Sequence, residues 1–366
     1  MRVGVVKEIK QAELRVGLTP TGVAALVQDG QQLLVETHAG DGAGFSDEEY
    51  AAAGANLDSA ENVWGSSDVL IKVKEPIESE YRFLRGGRTL FTYLHLAANR
   101  PLTEALVGAD ATAIAYETVQ TADGLPLLAP MSEVAGRLAA QEAAHYLLHP
   151  AGGPGLLLGG SPGVAPARVV VIGGGVVGTQ AALIALGQQA EVTILDTSDR
   201  RIRQLGELFG GRARVLYSNP HTLREELRAA DVVIGAVLIP GAVAPKVVRR
   251  EHLSMMKPGV VLVDVAIDQG GCFETSHATS YEDPIFEVDG RRHYCVANMP
   301  GGVPRTSTLA LTNATLPYVR RIARDGVKTA TAADPALALG VNVSAGRIVH
   351  AGVAAAFPDL AHASVA

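Results

Sequence analysis

Short apolar runs recur along the chain, each bounded by polar or glycine-containing segments. In the N-terminal part they cover residues 2–9, 32–38, 68–74, 89–96 and 112–118. Runs of this length read as strands buried on both faces. Helical stretches lie between them. One opens with Thr19 as N-cap and Pro20 at the first helical position, and closes near Gly30. Strands alternating with helices predict parallel βαβ units. After a Gly/Pro-rich loop the pattern restarts, with predicted strands at 168–172, 191–196, 213–218, 231–237, 260–267 and 293–297 and helices at 176–186 and 199–209. The fold class expected is α/β, with two doubly wound parallel-sheet lobes.

Two longer helices are predicted to join the lobes. Residues 132–148 have good helix formers and no internal proline, and Gly136 is a tolerable interruption. Residues 307–324 keep helical spacing, with a kink expected at Pro317. The tail after Arg324 has few strand signals and is expected to pack back on the first lobe. The boundaries that follow are 1–130 with 307–366 for one domain and 131–306 for the other.

Composition narrows the class. With 48% apolar and 19% charged residues the 366-residue chain can build substantial cores, which excludes a disordered protein. Its 31 Lys/Arg against 38 Asp/Glu give a net charge of −7 and no basic block, so a nucleic-acid partner is not expected. Two cysteines, Cys272 and Cys295, are too few for a disulfide scaffold and are not spaced as metal ligands. The charge-free stretch 151–167 is broken by Gly and Pro throughout, and the first ten residues lack a signal-peptide pattern, so a cytoplasmic location without membrane association is expected.

Chemistry enters at RVVVIGGGVVGTQAALIAL. Gly173, Gly175 and Gly178 form G-x-G-x-x-G directly after a strand and before a helix. One glycine makes the tight turn, the second lets a pyrophosphate approach the backbone, and the third permits close helix–strand packing. A glycine triplet alone is weak, because turns need glycine anyway. Here the next strand ends in Asp196, where a carboxylate can accept from the ribose hydroxyls of a dinucleotide. Two other matches are rejected. Gly159–Gly163 fits G-x-S-x-G, but Ser161 has a loop before it and Pro162 after it. His145 and His149 stand four apart without the Glu of a zinc-binding helix, and helix-end solvation explains them.

The first lobe places polar residues where strands should end. Lys74 follows DVLIKV, His95 ends TLFTYLH, Glu117 ends TAIAYE, and Arg15 lies in the loop after the first strand. Each alone is more often a solvated charge or a hydrogen-bonded structural group. Their convergence on one sheet edge, where open α/β sheets bind ligands, is what makes them candidates. Asp268 ends VDVAID at the matching edge of the second lobe, and turn capping before Gly270 is its bland alternative.

These residues, together with KEIK and E-x-RV-x-LTP within 7–20, KVKEP (72–76), LFTYLHLA (90–97), AIAYET (113–118), PMSEVAGR (130–137), GGGVVGT (173–179), IGAVLIPGAVAPK (234–246), VDVAIDQGGC (263–272), VANMPGGVPRTST (296–308) and ALTNATLPYV (310–319), resemble the alanine dehydrogenase family, within the group that includes the nicotinamide nucleotide transhydrogenase α subunit. The resemblance implies a Rossmann NAD-binding domain over 131–306 and a Rossmann-like substrate domain in the rest. It implies NAD-dependent, reversible oxidative deamination of L-alanine to pyruvate and ammonium by a homohexamer. His95 and Asp268 are then the acid–base pair, and Arg15, Lys74, Tyr93 and Asn298 bind substrate. Ser132, Gly173, Gly175, Val176, Val177, Gly178, Asp196, Arg201, Ser218, Val237 and Leu238 are implied in cofactor binding, as are Val265, Ala266, Ile267, Asp268, Val296, Ala297, Asn298 and Met299. His277 stands where many members carry Arg and receives no contact. Arg321 and Asp325 do not match the family's metal positions, so no metal is expected. The alternatives are a transhydrogenase α-type subunit, which typically lacks the equivalents of Lys74, His95 and Asp268, and a catalytically silent NAD-binding protein.

Overall fold

The computed structural model describes residues 1–237 and 244–362. Its strands are β1 (Arg2–Val5), β2 (Gln32–Glu36), β3 (Asn56–Asp58), β4 (Val69–Ile71), β5 (Thr89–Thr92) and β6 (Thr112–Ala115), then β7 (Arg168–Ile172), β8 (Glu191–Asp196), β9 (Arg214–Tyr217), β10 (Val232–Gly235), β11 (Val261–Asp264), β12 (Ile285–Val288) and β13 (Arg291–Tyr294), and finally β14 (Val341–Ser344) and β15 (Arg347–Ile348). The chain divides into two compact units, Met1–Met131 with Val303–Ala366, and Ser132–Gly302.

The first unit holds a sheet of order β15-β14-β6-β5-β4-β1-β2-β3. Strands β1 to β6 run parallel, outward from β1 to β3 and then back from β4 beside β1. The strand order therefore reverses between β1 and β4, the point where such sheets bind ligands. Val3, Val5, Val69, Ile71 and Phe91 are almost wholly buried, as a sheet covered on both faces requires. The tail returns to this sheet. β14 pairs antiparallel with β6 and β15 with β14, two strands the apolar pattern did not reveal.

The second unit has order β12-β13-β11-β10-β7-β8-β9, with its reversal between β7 and β10. All pairs are parallel except β12 with β13. That hairpin turns at Asp289 (φ 52°) and Gly290 (φ 72°), a pair suited to two left-handed positions. The turn places β13 at Arg291–Tyr294, earlier than the predicted 293–297.

Thr19 caps the first helix, Pro20–Gln28, by accepting from the Gly22 N–H at 3.2 Å. The two long helices, Ala129–Tyr146 and Pro304–Asp325, each begin three residues earlier than expected, and the second runs on through Pro317. Gly136 has a specific reason to be glycine: a Cβ there would stand 2.2 Å from the Val177 carbonyl oxygen on the helix Val176–Gly187. No helix of the described residues is long and apolar enough to cross a membrane.

Candidate active site

In the first unit the strands stop short of the residues of interest, which occupy the loops beyond their carboxyl ends. β4 ends at Ile71, β5 at Thr92 and β6 at Ala115, so Lys74, His95 and Glu117 sit on turns rather than at strand termini. Arg15 is buried, at 2% exposure. Glu13 grips it along two bonds, Nε to Oε1 at 2.6 Å and Nη2 to Oε2 at 2.5 Å, which fixes the plane of the guanidinium. Burial opposes the Glu13 charge, but the Arg15 hydrogen bonds and charge hold its carboxyl below the usual range. Lys74 lies near enough to Glu13 to lower it further, and Arg15 feels Tyr93 and Glu8.

Lys74 is held through its backbone. Glu8 accepts from the N–H of Val73 at 2.6 Å and of Lys74 at 3.4 Å. Beneath it the fully buried Lys72 ammonium bridges Glu8 (3.2 Å) and Glu80 (2.9 Å), and Glu80 accepts from the Ile77 N–H at 2.9 Å. Burial works against this ammonium, yet the two carboxylates keep its pKa above the ordinary lysine value. The loop carrying Lys74, Glu75 and Pro76 is thus pinned on both sides by one buried ion cluster.

His95 takes a left-handed backbone (φ 49°) that turns its side chain out of β5. Glu117 secures that turn by accepting from the N–H groups of Leu94 and His95, the latter at 2.6 Å. The His95 ring stacks beside Tyr93, centroids 6.0 Å apart, and its Nδ1 faces Glu75 Oε2 at 3.4 Å. Burial would raise the Glu75 carboxyl, but His95 and Lys10 outweigh it and bring it down to about 2. A carboxylate facing Nδ1 favours the tautomer that leaves Nε2 for proton transfer. Tyr93 is buried, donates to the Leu127 carbonyl at 2.6 Å, and burial raises its phenol. Arg15, Lys74, Tyr93 and His95 therefore form one cluster beside the β1/β4 reversal. The sequence reading passed over Glu8, Glu13, Lys72 and Glu75 as partners; their signal was alternation of acid and base within 7–15 and 72–75.

In the second unit the three glycines do three different jobs. Gly173 turns with φ 96°, and a Cβ there would meet the Ala236 carbonyl oxygen at 2.7 Å. At Gly178 a Cβ would lie 1.9 Å from the Gly173 oxygen. At Gly175, by contrast, nothing lies within 4 Å, and as N-cap of the helix Val176–Gly187 it offers no side-chain cap. The open space and the uncapped first turn fit a pyrophosphate. Val176 is exposed and Val177 half-buried in that first turn.

Asp196 ends β8, with Oδ2 accepting from the Gly174 N–H at 2.7 Å and Oδ1 from the Ser198 N–H at 2.8 Å. The carboxylate is thus fixed by two backbone N–H groups. Ser218 donates its N–H to the Asp196 carbonyl at 2.8 Å. Arg201 is tied down by its neighbours: Nε donates to the Gly174 carbonyl at 2.6 Å and Nη2 to the Thr179 hydroxyl at 2.7 Å. It laces the glycine loop to the next helix. Ser132 is half-buried on Ala129–Tyr146, and Val237 is half-buried after β10. Leu238 lies outside the described residues.

Asp268 is exposed on the short 3-10 turn Val265–Gln269, which also carries the half-buried Val265 and the buried Ala266 and Ile267. Its carboxylate accepts from the Asn298 N–H at 3.1 and 3.3 Å. Asn298 has φ 54°, in the segment where Val296 and Met299 are buried and Ala297 is exposed. His277 stacks on Phe286 with centroids 3.7 Å apart. The rejected motifs have their explanation as well. Ser161 bridges to Val164 in a tight loop, and His149 begins a separate 3-10 turn after the helix bearing His145.

Comparison with known proteins assigns both halves. Residues 4–135 match the alanine dehydrogenase/PNT N-terminal domain, and residues 139–351 match the alanine dehydrogenase/PNT C-terminal domain. The chain belongs to the alanine dehydrogenase/PNT family. Within that family it is 53% identical over 356 residues to the alanine dehydrogenase of Mycolicibacterium smegmatis, covering 97% of this chain and 96% of that one. A solved L-alanine dehydrogenase superposes with a TM-score of 0.95 at 52% identity, over 99% of this chain and 100% of the other. The transhydrogenase from Sinorhizobium meliloti is similar at a TM-score of 0.81 and 27% identity, over 96% and 99%.

Proposed function

We propose that this chain catalyses the NAD-dependent, reversible oxidative deamination of L-alanine to pyruvate and ammonium. The reading is carried by whole-length similarity to alanine dehydrogenases at about twice the identity to the transhydrogenase, joined to the first-unit cluster of Arg15, Lys74, Tyr93 and His95. NAD, when bound, supplies the hydride acceptor. The glycine loop and Asp196 hold it, Arg201 bracing that loop from the next helix, with Ser132, Ser218, Val237, residues 265–268 and residues 296–299 as the remaining contacts.

The rest is the work of side chains. Arg15, its plane set by Glu13, pairs with the substrate carboxylate. Lys74, steadied through its backbone by Glu8, stabilises negative charge as it develops on the substrate oxygen. Tyr93 remains a neutral phenol that walls the pocket beside His95. His95 moves a proton at Nε2 while Glu75 holds Nδ1. Asp268 orients or deprotonates the water that adds to the imine carbon, and the Asn298 N–H steadies its charge. A silent NAD-binding protein would have no use for the Glu13 and Glu75 braces. Two free, buried thiols agree with a cytoplasmic location, and family resemblance supports a homohexamer; light scattering should give six times the mass of one chain.

The test is purified protein with NAD and a panel of amino acids, followed at the absorbance of reduced nicotinamide. L-Alanine should be the preferred substrate. No turnover with L-alanine, alongside measurable NADH binding, would favour the silent reading instead.

A further inference from the structure

Asp268 sits on a short turn closed by backbone bonds from Gly270 to the Ile267 carbonyl (2.9 Å) and from Gly271 to the Ala266 carbonyl (3.0 Å). The chain leaves β11 at Asp264, passes through the 3-10 turn Val265–Gln269, and doubles back through Gly270 (φ 88°) and Gly271 (φ 73°). Asp264 closes the base of this loop. Fully buried, it accepts from the Cys272 N–H at 3.1 Å, the Phe273 N–H at 3.0 Å and the Ser276 hydroxyl at 2.6 Å. The loop therefore begins at the residue whose side chain receives its other end. Gly271 is required by this closure, since a Cβ there would stand 2.7 Å from Asp264 Oδ2.

A second anchor comes from outside the loop. The exposed Lys246 donates through Nζ to the carbonyls of Gly270, of Gly271 at 2.8 Å and of Phe273 at 3.2 Å. Backbone bonds from Ala244 to the Gln269 carbonyl (3.0 Å) and from Val247 to the Cys272 carbonyl (2.8 Å) lay the lysine's segment alongside. One side chain thus collects N–H groups at the base, and another collects carbonyls on the same return.

We infer that Asp264 and Lys246 are positioning residues for Asp268: they hold the loop in the one shape that presents its carboxylate to the Asn298 N–H. This rests on the role of Asp268 proposed above. Steady-state kinetics of the full chain with pyruvate, ammonium and NADH test it. Lys246→Met should keep the wild-type thermal midpoint, because the lysine is exposed. Its kcat should fall about tenfold or more, with KM for pyruvate moving less than about threefold, since Arg15 and Lys74 are untouched. Lys246→Arg, which can still donate to the carbonyls, should recover most of the lost kcat. Asp264→Asn should lose at least as much if it folds; if it does not, the lysine pair decides. Wild-type kcat in Lys246→Met, a loss carried by KM instead, or no rescue by arginine overturns the inference. Asp268→Asn runs beside them. Inactive, beside a fully active Lys246→Met, it leaves the role of Asp268 standing and removes only the anchors. Fully active, it removes the role and the inference together.

Discussion

Glu75 binds His95 on one side and Lys10 on the other, and two expectations follow at this single residue. Glu75→Gln should lower kcat by about tenfold, because the amide no longer favours the proton on Nδ1, while KM for pyruvate stays near wild type. It should also alter acid stability. A carboxyl brought from 4.5 down to about 2 in the fold contributes stability that is present above pH 4.5 and is lost as pH falls toward 2. The contribution is on the order of 1–3 kcal/mol. Urea midpoints at pH 7 and pH 3 should therefore lie closer together in Glu75→Gln than in wild type. Equal gaps would mean that Glu75 is not held ionised. The cofactor-binding role proposed for Asp196 leads to an expectation about cofactor choice by the same kind of argument. The 2′-phosphate of NADP would bring a charge of about −2 against a carboxylate already fixed by two N–H groups, and Arg201, engaged with Gly174 and Thr179, is not available to welcome it. Asp196→Ser should raise kcat/KM for NADP and lower it for NAD. A wild type that uses both equally would overturn this account.

At the scale of elements, the glycine loop separates folding from binding. Gly178→Ala puts a methyl group 1.9 Å from the Gly173 oxygen and should cost about 2–4 kcal/mol of stability. Gly175→Ala meets open space at an ordinary φ of −65°, so it should fold like wild type and lose NADH affinity. Thermal melts and fluorescence titration distinguish them, and a Gly175→Ala protein with normal affinity would refute the assignment of that space to the pyrophosphate. The centre of this unit was legible in advance because β7, β10 and β11 are short apolar runs buried along most of their length and its glycines fall at fixed steps after β7. The elements that were not legible are short or pair at an edge. β3 is Asn-Leu-Asp, β15 has two residues, and β14 with β12 depends on a partner far away or across a turn. The first-unit site was half legible for a similar reason. Arg15, Lys74 and His95 stand out as polar residues after apolar runs. Glu8, Glu13 and Glu75 look like surface charge until folding aims them at those residues, and only distance distinguishes the two cases.

The whole molecule carries its own stability reporter in Cys272 and Cys295. Both are fully buried, and burial pushes the Cys295 thiol up to about 12 and Cys272 well above its ordinary value. A thiol reagent in excess should label neither at neutral pH until the second unit opens, so labelling should rise with urea along the unfolding curve. Rapid labelling of the native protein would show a local opening near β11 and β13.

The return of the tail to the first sheet also sets a schedule. The second unit is one continuous stretch, whereas the first is assembled from both ends of the chain. During synthesis β6 emerges long before β14, so its outer edge must wait unpaired while the whole second unit is made, and unpaired edges invite other chains. The two final strands thus act as a late closing seam. Ending the chain after Gly340 should yield a protein whose second unit still binds NADH but which aggregates through the open edge of β6. A soluble, monodisperse truncation, read by light scattering, would show that the edge protects itself.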